Sequence, residues 1–296
     1  MGRGPNPDGA SRLEARYNLR DAHPDADTYK AQWAAWRTHA RARLHVIDDV
    51  RPSPFTRTPM DIVLPSRVVD HRMPCFVFLH GGFWRASDKA DCTFVALAFA
   101  EHGIATAIPN YPLMPQATMS DIVADLRGSA KFLYMASGRL GLKCDRFYVG
   151  GYSAGAHLAA WLLATDWSAH GLPADTIVGG MGLSGIFDPR PLLQTTHNET
   201  LQLDRETARS ASAMRVPEGA RPLDFIACGS DETEGFQSQA RRYARWAERR
   251  FADACPLFWL AGRHHYDVVM EFADPESRIS QLTRAALAAK ASRSGL

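Results

Sequence analysis

The sequence has little net charge, few cysteines, no long apolar run and no glycine-rich phosphate loop, and each shortage excludes a class of function. Lys and Arg number 34 against 32 Asp and Glu, a formal net charge of +2 over 296 residues. A chain so balanced has no general electrostatic attraction for nucleic acid or an anionic membrane. Its densest basic stretch, RRYARWAERR at 241–250, fits the solvated face of a helix. The five cysteines, Cys75, Cys92, Cys144, Cys228 and Cys255, form no CxxC pair. Their number is odd and three sit in or beside apolar runs, which reads as small hydrophobes rather than as disulfides or zinc ligands. No segment approaches the roughly 18 uninterrupted apolar residues of a membrane span. The opening MGRGPNPDGASRLEARYNLR lacks the apolar core of a secretory signal. No metal-ligand spacing and no dinucleotide fingerprint is present. The expectation is a cytoplasmic protein that needs no cofactor and no metal, with neither nucleic acid nor membrane as partner.

What is there is an ordinary globular composition, 46% apolar and 22% charged, in a chain long enough to bury a large core. Short apolar runs at 60–64, 75–79, 104–108, 146–149, 177–182, 223–228 and 256–260 read as buried strands. Helix-like segments lie between or after them, at about 88–101, 119–137, 154–165, 235–251 and 275–291. Continuous apolar strands alternating with helices imply an α/β fold, a mostly parallel sheet covered on both faces. Two regions fall outside the alternation. Residues 1–55 form an N-terminal extension, a loose Gly/Pro/Asp-rich tail followed by a helix at 28–44. That helix carries Tyr29, Trp33, Trp36, Ala40 and Leu44 on one stripe, which docks on the body; a lid is the alternative. Residues 56–296 form the second unit, and within it 186–222 is long enough to be a small cap.

The chemistry concentrates in three places. In CDRFYVGGYSAGAHLAAWLL, Gly151-Tyr152-Ser153-Ala154-Gly155 follows a strand and opens an apolar helix, the setting of a nucleophile elbow. The small flanking residues let strand and helix pass closely, and the helix N-terminus favours a developing negative charge. In CFVFLHGGFWR, an apolar strand ends in His80, Gly81, Gly82, Phe83 and Trp84. Acyl transfer needs backbone donors that no side chain obstructs. The amides of Gly81, Gly82, Phe83 and Ala154 fit that role, with His80 propping the turn. Phe83 borders the acyl pocket and Trp84 packs beneath it, with Tyr111, Tyr152 and Phe187 as further wall candidates. Tyr111 more readily reads as support, and His157 as a buried, hydrogen-bonded core histidine. A serine nucleophile needs a base held by an acid, in the order serine, acid, histidine. LDFIACGSDETEGF supplies Asp231 and Glu232 after a late strand, and PLFWLAGRHHYDVV supplies His264 and His265 after the last. Neighbouring loop residues cannot both aim at Ser153, so the residues alone leave one choice in each pair open.

Together GGYSAGAHL, HGGFW and HHYDVV resemble the kynurenine formamidase (arylformamidase) branch of the α/β-hydrolases, itself similar to the hormone-sensitive-lipase-like esterases. PNYPLMPQATMSDIVADL and LSGIFDPRPLLQTTHNETLQL extend the likeness over residues 55 to 275. The resemblance implies an eight-stranded α/β-hydrolase with a small cap. It assigns the nucleophile to Ser153, the base to His265 before its aromatic-Asp pair, and the acid to Glu232 over Asp231 through the spacing to Phe236 and Gln239. The elbow departs from the family in Tyr152, where many relatives carry His. The implied activity is hydrolysis of a small ester or amide, an arylformamide or a short-chain or aryl carboxylic ester, through an acyl-enzyme. A homodimer is compatible with this reading. The alternatives are a catalytically inactive ligand-binding protein of the same fold, which would typically lack a triad member, and an acyltransferase.

Overall fold

The computed structural model describes residues 7–67, 75–140, 142, 146–217, 219–251 and 255–293. Helices α1 (Pro7–Tyr17), α2 (Leu19–Ala22) and α3 (Ala26–Arg43) lead into β1 (His45–Val50). Then come β2 (Met60–Leu64), β3 (Cys75–Leu79), β4 (Thr106–Pro109) and α4 (Met119–Ala136). β5 (Phe147–Tyr152), α5 (Ala154–Leu163) and β6 (Ile177–Leu183) complete the centre. Short helices α6 (His197–Leu201) and α7 (Arg205–Ser210) occupy the cap segment. β7 (Phe225–Gly229), α8 (Glu234–Arg250), β8 (Leu257–Leu260) and α9 (Arg278–Arg293) finish the chain.

The strands form one open eight-stranded sheet in the order β1-β2-β4-β3-β5-β6-β7-β8. β1 and β2, and β2 and β4, pair antiparallel, and all other neighbours are parallel. β3, β5 and β6 are buried at every residue, the mark of strands covered on both faces. One core joins the sheet to Leu126, Leu158, Phe236 and Tyr243 of α4, α5 and α8. The other joins it to Ala40 of α3, Phe94 of the 3₁₀ helix Lys89–Ala98, and Ile279 and Leu287 of α9. The α/β-hydrolase expectation holds.

Three local expectations are corrected. The eighth strand is β1, whose HVIDDV has no continuous apolar run because it is a partly exposed edge pairing on one side only. The segment expected as a helix at 88–101 is two 3₁₀ helices, Lys89–Ala98 and Ala100–His102. The tail expected to be loose lies outside the described residues at 1–6, but from Pro7 it is α1, which packs on α8. There Gly235 lies so close to the Arg16 carbonyl that a Cβ would fall 2.3 Å from its oxygen. An ion pair of Arg16 with Glu234 lies alongside.

Topology places the site. Leu79 at the end of β3 lies opposite Gly151 in β5, so the turn after one strand emerges beside the serine after the other. Gly229 of β7 pairs with Leu260 of β8, so the two loops that follow also leave side by side. All four exits are at the carboxyl ends of parallel strands, where open α/β sheets hold their ligands.

Candidate active site

Ser153 stands between β5 and α5 with φ 58 and ψ −119, a conformation that costs a non-glycine residue about 1–3 kcal/mol. Close passage of strand and helix holds it there. A Cβ on Gly155 would lie 2.0 Å from the Leu79 carbonyl oxygen, and one on Gly151 would lie 2.2 Å from the Gly155 backbone. The serine N–H donates to the Leu183 carbonyl at 2.8 Å, which leaves Ala154 as the first amide at the helix end. Among the described residues, the amides of Gly82, Phe83 and Ala154 donate to no protein acceptor.

The turn after β3 takes three consecutive positive φ values, 101 at Gly82, 50 at Phe83 and 58 at Trp84. Gly82 is obligatory, since a Cβ would sit 2.2 Å from the Ala86 carbonyl oxygen. Tyr111 donates its hydroxyl to the carbonyls of His80 and Gly81 at 2.9 and 3.1 Å, and its ring stacks on His80. His80 Nδ1 lies 2.9 Å from the Gly81 carbonyl, which can only accept, so Nδ1 carries the proton. Burial holds the His80 pKa below its ordinary value. His80 is a neutral prop for the turn.

His265 Nε2 lies 3.1 Å from Ser153 Oγ, and its Nδ1 lies 2.9 Å from Glu232 Oε2. A carboxylate accepts, so Nδ1–H points at Glu232 and Nε2 offers its lone pair to the serine hydroxyl. Ser153, His265 and Glu232 are each 4% exposed or less. The loops are tied together by Ser230 N–H to the Leu260 carbonyl and Asp231 N–H to the Arg263 carbonyl, both 2.9 Å. The Tyr152 hydroxyl donates to the His265 carbonyl at 2.6 Å, and the Phe236 ring packs 4.1 Å from the imidazole. The other member of each ambiguous pair points away. Asp231 is exposed and accepts from Ser230 Oγ at 2.8 Å, and His264 stacks on His23 of the N-terminal extension at 4.2 Å.

A cavity of about 770 Å³ opens over Ser153 and His265. Gly81, Gly82, Phe83 and Tyr152 line it as the sequence suggests. Trp84, Tyr111 and Phe187 do not: Trp84 and Tyr111 take the packing and support roles the sequence also offered them, and the reading of Phe187 as a pocket wall is corrected. Trp84 is fully buried under the turn with its ring on His157, Tyr111 is committed to the carbonyls of the turn, and Phe187 stacks on Tyr243 beneath the cap. His157 is the expected buried core histidine, its Nε2–H donating to the Ala211 carbonyl at 2.6 Å. Sequence reasoning missed much of the wall, including Leu19 and Arg20 from the N-terminal helices, Arg85 after the turn, and Thr196, His197 and Thr200 from the cap. Trp33 carried a legible signal through its stripe. It docks on the body through Nε1–H to the Tyr266 carbonyl at 2.9 Å and also lines the cavity, so docking and covering are one arrangement.

Among the described residues, no three His, Cys, Asp or Glu side chains converge to hold a metal ion, and no helix is long and apolar enough to cross a membrane.

Comparison with known proteins shows what the whole chain is similar to. The family model BD-FAE matches residues 60–178, from β2 through the elbow into β6. A kynurenine formamidase of Salmo salar is 27% identical over 228 residues, 75% of this chain and 76% of the relative. An isoprenylcysteine alpha-carbonyl methylesterase of Arabidopsis thaliana is 31% identical over 156 residues, 49% of this chain and 35% of the relative. A solved structure from a Silicibacter species, provisionally described as a thioesterase, is 27% identical. It superposes with a TM-score of 0.75 over 91% of this chain and 97% of its own.

Proposed function

From the premise that this chain is a hydrolase of the α/β-hydrolase kind, of the kynurenine formamidase and hormone-sensitive-lipase-like esterase type, we propose that it cleaves small aryl formamides or short-chain or aryl carboxylic esters through an acyl-enzyme on Ser153. The observation that carries the reading is the unbroken line of contacts from Glu232 through His265 to Ser153, at 2.9 and 3.1 Å, at the floor of the cavity. The formamide half of the substrate class follows the Salmo salar relative, and the ester half the Arabidopsis one.

Ser153 Oγ attacks the substrate carbonyl as His265 Nε2 takes its proton, a transfer within general-base reach at 3.1 Å. The negative charge on the carbonyl oxygen is met by the amides of Gly82, Phe83 and Ala154, with Gly81 giving the turn its closeness to the serine. Glu232 holds the imidazole in the required tautomer and stabilises its charged form. Collapse breaks the bond to the leaving nitrogen or oxygen, which receives the proton from His265, and Ser153 keeps the acyl group. Water then attacks the acyl-enzyme while giving a proton to His265. The acid departs and Ser153 regains its hydrogen.

Turnover of N-formylkynurenine and p-nitrophenyl acetate by wild type and Ser153→Ala tests the proposal. Cleavage of either substrate that disappears in Ser153→Ala supports it. Failure to cleave either substrate, or cleavage that survives the substitution, would overturn it.

A further inference from the structure

We propose that Arg85 anchors an anionic group, a carboxylate, on the substrate of this cavity and so sets its substrate class. This rests on the hydrolase reading above.

Arg85 follows the turn at Gly82-Phe83-Trp84, is half-buried, and lines the same cavity as Ser153 and His265. Its Nη1 donates to Thr200 Oγ1 and its Nη2 to His197 Nδ1, each at 3.1 Å. Both partners are neutral. A guanidinium only donates, so His197 Nδ1 is an acceptor. The other ring nitrogen, Nε2, lies 3.1 Å from the Tyr17 carbonyl and therefore carries the hydrogen. Burial first, and the Arg85 charge as well, hold the His197 pKa below its ordinary value. Among the described residues no carboxylate lies within ion-pair distance of Arg85. Exposed arginines elsewhere do meet acids, Arg190 and Arg242 sharing Asp188 and Arg263 meeting Glu271, whereas the half-buried Arg127, outside this cavity, bonds Thr165.

The guanidinium is also held in place. The His197 ring stacks on Phe83 at 3.9 Å and 16°, so Arg85 is braced against the turn that faces the nucleophile. Two of its five donors are occupied, and a guanidinium fork matches a carboxylate in two parallel hydrogen bonds. The other charged groups at the rim are matched, Arg20 and Lys30 by Asp27 at 3.5 and 3.3 Å and Asp91 by Arg37 at 3.6 Å, which sets Arg85 apart among the described arginines and lysines of the wall. A positive, pre-placed fork in a cavity short of carboxylates selects an anion over a neutral analogue.

The test compares kcat/KM within matched pairs that put the carboxylate on either side of the scissile bond. These are 3-formamidobenzoate against formanilide, 3-acetoxybenzoate against phenyl acetate, and phenyl hemisuccinate against phenyl butyrate. Wild type is expected to favour the anionic member of at least one pair by about 10-fold or more. Arg85→Met should bring that ratio close to one, with Arg85→Lys between. Calorimetric titration of resting enzyme with benzoate gives a second readout independent of turnover, with affinity falling about 10-fold in Arg85→Met. No anionic preference in any pair, or a preference and benzoate affinity unchanged in both variants, would overturn the proposal. If no ester or formamide is turned over at all, the hydrolase reading falls, and the benzoate titration still decides the role of Arg85.

Discussion

Replacing Glu232 by Gln removes one charge from the line of contacts while keeping the side chain's shape. In the resting enzyme the loss is modest, because the amide oxygen can still accept from His265 Nδ1–H at the 2.9 Å now spanned by Oε2. In the transition state His265 is positive, and the missing charge is felt. A contact of this length puts the charge centres about 4 Å apart, an attraction of about 4 kcal/mol at an effective dielectric of 20. That corresponds to about 10³-fold in kcat. Asp231, exposed and engaged with Ser230, faces none of this charge, so Asp231→Asn should stay within about 3-fold of wild type. Steady-state hydrolysis of a chromogenic aryl acetate, with thermal melting to confirm folding, measures both. A Glu232→Gln enzyme within 10-fold of wild type, or a collapse in Asp231→Asn, would refute the assignment of the acid.

Gly155→Ala drives a methyl to within 2.0 Å of the Leu79 carbonyl oxygen, and should cost about 3 kcal/mol or more of stability in denaturant titration. His157 is fully buried, and burial lowers its pKa from 6.5 to about 4. As pH falls through 6.5, unfolded chains take up a proton that the native state refuses until about 4. Its contribution is therefore complete above pH 6.5 and declines to a loss of about 3 kcal/mol near pH 4. Denaturation midpoints of wild type should fall more steeply over that window than those of His157→Gln, and parallel curves would contradict this. Trp33→Ala removes a cavity wall and its bond to the Tyr266 carbonyl, so KM should rise by about 5- to 20-fold with a smaller change in kcat. An unchanged KM would free the N-terminal helices from any part in substrate binding.

The central strands were legible because burial on both faces leaves continuous apolar runs, as in CFVFL and IVGGMG. β1 was not, since an edge strand with polar HVIDDV shows no such run. Local geometry explains why the glycines of both turns could be read directly: each answers to a close approach within a few residues or to the neighbouring strand. Which acid meets His265 could not follow from consecutive residues, because it depends on how the β7 and β8 loops are tied through Leu260 and Arg263. One aromatic side chain misled in a similar way. Phe187 has the character of a pocket wall, yet it is consumed by stacking on Tyr243, which only the fold brings to it. Conversely Arg85 sat inside the quoted HGGFWR motif, and its significance depends on His197 and Thr200, more than a hundred residues away in sequence.

The most direct measurement of the central claim is titration with a fluorophosphonate probe, followed by peptide mass analysis of the adduct. The account predicts one label per chain, on Ser153, with loss of ester and formamide turnover in proportion to labelling and no adduct in Ser153→Ala. A label on another residue, or turnover that persists in fully labelled protein, would contradict it.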